Sequence, residues 1–159
     1  MKIIVYLEPK FERPEDADST AVFTNISDEG KAGIEAALQI KEKLGGEVTA
    51  VTVGQEPDER VLREAFAMGV DAAAMASGVE PTLENIAAAI KKLAGNVVLN
   101  GYAGRKELGH QLGLAEAEYK MGMDAKGQFI SVAADSVKPR YMSVGGVYAA
   151  YKHPITQLI

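Results

Sequence analysis

The chain has 159 residues, 47% of them apolar and 25% charged. That composition fits one compact domain over 1–159 and excludes disordered or collagen-like chains. A net charge of −5, with no basic cluster longer than a dipeptide, argues against a phosphate-backbone binder, so nucleic acid is not an expected partner. There is no cysteine, which removes disulfide scaffolds, thiolate metal sites, iron–sulfur clusters and cysteine nucleophiles, and leaves any redox role to a bound cofactor. The first apolar run reaches Glu8 too soon for a signal peptide, and no run is long enough for a membrane span. The expectation is a cytoplasmic protein with no membrane partner.

Lys2 to Leu7 is a short, nearly continuous apolar run with β-branched residues, as in a parallel strand buried on both faces. The long turn-rich stretch that follows, Glu8 to Thr24, is a candidate site wall. From Ser27 or Asp28 as cap, a helix is predicted to Leu44, stopped by Gly45-Gly46. Val48 to Val53 is the second buried strand, ending at Gly54. Pro57-Asp58 opens a second helix with Val61, Leu62, Ala65 and Phe66 on one face before Gly69, and Val70 to Ala76 is a weaker strand. Thr82 caps a third helix, with Leu83, Ile86, Ala87, Ile90, Leu93 and Ala94 at helical spacing and Gly95 as its stop. Asn96 to Asn100 is the fourth strand, and a further helix is expected over roughly 107–115.

This alternation implies an α/β fold, an open and mostly parallel sheet with helices on both faces. Glu118 to Ala133 changes to an alternating pattern around Asp124-Ala125-Lys126-Gly127, which predicts a C-terminal antiparallel hairpin. The tail from Asp135 has no clear period.

Ligands of open parallel sheets bind beyond the carboxyl ends of the strands, where neighbouring connections diverge. The loop after Leu7, the turn at Val53-Gly54 and the segment Gly101 to Gln111 would meet there. In the last, Gly101, Gly104 and Gly109 permit close backbone approach, Arg105 and Lys106 supply cations, and a helix N-terminus follows, an arrangement like an anion cradle. It is neither a Walker loop nor a GxGxxG. From composition alone the simpler reading, glycines shaping a turn beside two solvated cations, has the advantage. His110 and His153 have no metal-ligand spacing, Glu15-Asp16-Ala17-Asp18 reads as a solvated acidic loop, and Ser77-Gly78 and Ser143-Val144-Gly145 lack the setting of a nucleophile elbow. Nothing in the chain spells catalysis.

The stretches SDEGKAGIEAALQIKEKLGGEVTAVTVG, VLREAFAMGVDAA and NVVLNGYAGRKELGHQLG, taken in order, resemble the nucleotide-binding part of electron transfer flavoprotein subunits. The tail KPRYMSVGGVYAAYKHPI is similar to the Pro-Arg-Tyr segment of the family's β subunit. The resemblance implies an adenine-nucleotide-hydrolase-like α/β sheet, an α-like partner subunit and a role in electron transfer. It implies AMP or another adenine nucleotide as ligand, with FAD possible together with the partner subunit. Carried over by position, the nucleotide contacts fall on Leu7 and Glu8, on Asn25, on Val53 and Gly54, and on Gly101, Tyr102, Gly104, Arg105, Lys106, Gly109, His110 and Gln111. In the loop after the fourth strand, Gly101 and Gly109 match the family's β pattern, with Gln111 a third candidate, while Gly104-Arg105 is more similar to the α subunit. The chain is shorter than a full β subunit. A small ATP- or AMP-binding stress-type regulator of the same fold is the alternative, and here Gly101, Gly104 and Gly113 miss its glycine spacing by one. In the tail, Tyr141, Val144, Val147, Tyr148 and Tyr151 predict association, with a partner or with a second copy, unless they serve to cover a sheet edge.

Overall fold

The computed structural model describes residues 1–8, 26–100, 107–140, 142 and 144–158, without the side chains of Val144 and Tyr148. The candidates Asn25, Gly101, Tyr102, Gly104, Arg105 and Lys106, the acidic loop 15–18, Ser143 and Tyr141 lie outside these residues. In chain order the elements are β1 (Lys2–Tyr6), α1 (Asp28–Leu44), β2 (Glu47–Gly54), α2 (Glu59–Met68), β3 (Ala72–Ser77), α3 (Leu83–Leu93) and β4 (Val97–Asn100). They continue with α4 (Leu108–Leu112), β5 (Ala115–Glu118), β6 (Gln128–Ser131), α5 (Val144–Ala150) and β7 (Thr156–Gln157).

Seven strands form one sheet in the order β5-β6-β4-β1-β2-β3-β7, and every pairing is parallel. β1 lies at its centre because its side chains are apolar on both faces. Ile3, Val5 and Leu7 pack with α1 and α2, while Ile4 packs with α3, and all four are fully buried. Removing each such side chain from water contributes about 1.5–3 kcal/mol. Ser27, one of the two caps offered for α1, and the predicted cap Thr82 act as capping groups, as does Asp58 at the predicted opening of α2: each accepts from a backbone N–H in the first turn of the helix that follows. Helix α3 stops one residue before the expected glycine, with Ala94 itself in the left-handed region at φ 52°.

Three expectations are corrected. The hairpin over 118–133 does not exist: β5 and β6 are parallel neighbours, with Ala117 opposite Ile130. Residues 119–127 cross back over the α1 face of the sheet, burying Tyr119 and Ala125, where the alternation had suggested a strand. The Tyr119 hydroxyl donates to Gln39 Oε1, and Lys43 Nζ donates to the Gly122 carbonyl. A parallel crossover usually takes about a dozen residues or more; this shorter one is held against α1 by those contacts. Second, the helix expected over 107–115 ends at Leu112, because Gly113 takes a left-handed conformation (φ 68°) and its N–H closes on the carbonyls of Gly109 and His110. Third, the tail that showed no period contains α5, packed on α2, and the edge strand β7, paired with β3.

Candidate functional site

From β1 the chain moves outward through β2 to β3, then returns by α3 to β4 on the other side of β1. The switch point therefore lies between β1 and β4, and their carboxyl ends flank the crevice where open α/β sheets take ligands. In register there are Tyr6, Val51 and Asn100. The Leu7 N–H extends the ladder to the Val51 carbonyl at 2.9 Å, which brings Leu7 and Glu8 level with the end of β2.

Four of the predicted residues meet at this edge. The Leu7 side chain is spent on the core beside α1, so its backbone is what faces the strand ends. Glu8 is half-buried, and its Oε1 accepts from the Tyr6 hydroxyl at 2.7 Å. Val53 is buried on the α3 face. At Gly54 an added Cβ would find Pro57 at 3.8 Å as its nearest neighbour, so among the described residues no close contact requires glycine there.

The three described candidates of α4 behave differently. His110 and Gln111 are exposed. A Cβ at Gly109 would come within 2.8 Å of the Phe129 ring and 3.0 Å of the Glu116 side chain, so this glycine lets α4 lie against β5 and β6. That is a packing reason for a glycine at this position.

Sequence reasoning passed over three groups that shape the crevice. Asn100, 2% exposed, is a buried polar residue at the carboxyl end of β4. Tyr6 is the one aromatic in β1, after the aliphatic Ile3, Ile4 and Val5, and that oddity was the available signal for the Tyr6–Glu8 pair. Glu64 of α2 accepts from the Ile26 N–H at 3.0 Å and so fixes where the chain enters α1. No local pattern announces a bond of that span.

A second polar cluster lies away from the strand ends. Arg140, of the Pro-Arg-Tyr segment, reaches Glu35 of α1 through Nε at 2.7 Å and Nη2 at 3.0 Å, and Glu42 through Nη2 at 2.8 Å. Gln39 donates to Glu35 at 2.8 Å and accepts from Tyr119. Burial pushes the Glu35 carboxyl up, but the hydrogen bonds from Arg140 and Gln39 and the guanidinium charge outweigh it and hold the carboxyl below its usual range. This cluster ties the tail and the 119–127 crossover to α1.

Among the described residues no helix is long and apolar enough to cross a membrane, and no group of three or more His, Asp or Glu side chains is placed to hold a metal ion. Residues 21–119 match the electron transfer flavoprotein domain. The chain is 31% identical to electron transfer flavoprotein subunit beta of Bacillus subtilis, over 79% of this chain and 63% of that protein. It is 27% identical to the acryloyl-CoA reductase electron transfer subunit gamma of Anaerotignum propionicum, over 84% of this chain and 65% of that one. With subunit CarD of the caffeyl-CoA reductase-Etf complex of Acetobacterium woodii the identity is 29%, over 77% and 62%. The chain thus spans just under two thirds of the length of these relatives. The matched domain covers more than half of the chain, from the approach to α1 to the end of β5, and on that match the protein belongs to the electron transfer flavoprotein family.

Proposed function

We propose that this chain is a β-type electron transfer flavoprotein subunit. It holds the adenosine end of an adenine nucleotide, AMP or FAD, beyond the carboxyl ends of β1, β2 and β4, and works with an α-like partner subunit. The observation that carries this reading is the family match over 21–119, which includes β2 through β4 and the turns leaving them. Relatives named as subunits of reductase complexes support the partner.

Among the described residues, the buried apolar side chains of the strand ends, the glycine that ends β2 and the polar side chains of Glu8 and Asn100 support such a ligand. Arg105 and Lys106, which follow β4 in the chain, are the cations for phosphate, and charge-assisted bonds of that kind are stronger than neutral ones. FAD, where bound, supplies the redox chemistry; the residues of this chain bind and orient its nucleotide end.

Native mass spectrometry of the chain, alone and co-expressed with the α-like subunit, tests the reading. A retained adenine nucleotide in a heterodimer is expected. The chain alone should be colourless, and Arg105→Ala should weaken AMP binding by about 1–3 kcal/mol. A chain that binds neither AMP nor FAD, alone or with the partner, overturns it.

A further inference from the structure

We propose that Glu8 reads the ribose of the bound adenine nucleotide, its carboxylate accepting hydrogen bonds from the 2′,3′-diol. This rests on the nucleotide reading above and gives it a selectivity.

The argument begins with Tyr6. Its ring is fully buried on the α3 face of the central strand, where packing leaves it little freedom. A buried phenol needs a hydrogen-bond partner. The Tyr6 hydroxyl donates to Glu8 Oε1 at 2.7 Å, so a rigid core residue sets the direction of a half-buried carboxylate. Glu8 follows β1 directly, and β1 borders the switch point with β4. A functional group is accurate when its support is locked by packing, and here the support is the sheet itself.

The chemistry of a carboxylate then selects which part of the ligand it meets. An ionised carboxylate only accepts, so it repels phosphate and pairs with donors. An adenine nucleotide offers two kinds of donor, the vicinal ribose hydroxyls and the exocyclic amine. The amine is flanked in the base plane by ring nitrogens with lone pairs, which would face the second carboxylate oxygen unfavourably. The diol presents two rotatable O–H groups side by side and can serve both oxygens. An acidic side chain beside a strand end performs this task in dinucleotide-binding sheets of different strand order.

Calorimetry on the full chain, with whatever subunit copurifies, distinguishes the outcomes, using AMP, 2′-deoxy-AMP and IMP as probes. The wild type should bind AMP about tenfold more tightly than 2′-deoxy-AMP, the factor expected for one good hydrogen bond to a charged group. Glu8→Ala should erase that ratio mainly by weakening AMP, and Glu8→Gln, which keeps one acceptor oxygen, should retain part of it. Tyr6→Phe should give an intermediate ratio, because the carboxylate remains but loses the bond from the Tyr6 hydroxyl; circular dichroism checks that each variant is folded. Discrimination that survives Glu8→Ala, or an equal loss of AMP and 2′-deoxy-AMP binding, overturns the proposal. So does an AMP-over-IMP preference that depends on Glu8 without any 2′-deoxy effect. Wild-type binding of all three probes with equal affinity sinks the Glu8 assignment alone, whereas binding of none, together with no binding of FAD, sinks the nucleotide reading with it.

Discussion

The two parts of this chain are held together by different physics. From β1 to β4, strands and helices alternate, and stability comes from aliphatic side chains buried on both sheet faces. From β5 onward the elements are short, and much of what places them is polar and distant in sequence. Arg140 meets Glu35 across 105 positions, Tyr119 meets Gln39 across 80, and Arg63 meets the carbonyls of Ala150 and His153 across 87 and 90. A region built by burial repeats its pattern locally; a region built by latches does not.

The sharpest way to break the comparison is to remove one side chain from each part. Ile34 of α1 is fully buried, so Ile34→Ala should cost about 3 kcal/mol in urea unfolding, transfer and cavity terms together. In the second part, Gly109→Ala forces a methyl against the Phe129 ring, and overpacking of that kind costs about 1–3 kcal/mol. A loss near 2 kcal/mol identifies Gly109 as a packing glycine. An unchanged stability would show that α4 can shift and that packing does not require this glycine.

The same contrast explains what the sequence could and could not disclose. Helix α3 was legible with its cap, α1 with a choice of Ser27 or Asp28 and α2 by its opening at Pro57-Asp58, because Ser27, Asp58 and Thr82 act within one turn, and β1 to β4 were legible as runs between the helices. The hairpin failed because alternation over 117–123 looks the same whether Tyr119 lies in a strand or folds back onto α1. No short-range pattern marks α5, since VGGVYAA carries two glycines and is a helix because α2 supports it. Of the candidate site, the strand ends could be placed from sequence, whereas the Tyr6–Glu8 and Glu64–Ile26 bonds needed coordinates. Of the tail residues expected to associate or to cover a sheet edge, Val147 and Tyr151 are exposed beside Arg60 and Arg63, while it is β7 that pairs with the β3 edge.

Arg140→Ala should cost about 2 kcal/mol at neutral pH. It leaves the Glu35 carboxylate, only 5% exposed, without its cation, and the figure is reduced from that of a fully buried pair because the arginine is 38% exposed. The sign of the pH dependence follows from the lowered Glu35 value. The contribution is fully present above the unfolded carboxyl value of about 4.3 and is lost as pH falls through the lower native one. Wild type and variant should therefore converge in stability on acidification below that range. A gap that persists at low pH would mean that the arginine acts through its packing alone.

Arg63→Ala should cost less, about 1 kcal/mol, since it removes two charge-assisted bonds to carbonyls at the end of α5 and the exposed pair with Glu59. Its effect should be local. Phe66 stacks on His153 at 4.5 Å and still holds the tail, so hydrogen exchange should quicken over 150–158 while β1 to β4 keep their protection. Exchange that quickens throughout would show that the tail is cooperative with the core.

The smallest effect on stability is expected where the largest effect on binding belongs. Gly54 does not lie in the left-handed region, and a methyl there would sit at ordinary contact distance from Pro57. Gly54→Ala should therefore unfold within about 1 kcal/mol of the wild type, and on the stable side if the lost freedom of the unfolded chain dominates. If the crevice takes an adenine nucleotide, the same methyl intrudes at the strand end and AMP affinity should fall about tenfold, read by the same calorimetry. A protein that keeps its stability and loses its ligand separates Gly54 from Gly109, whose substitution should do the reverse. Equal AMP binding by Gly54→Ala and wild type would remove the β2 end from the site and leave the crevice to β1 and β4.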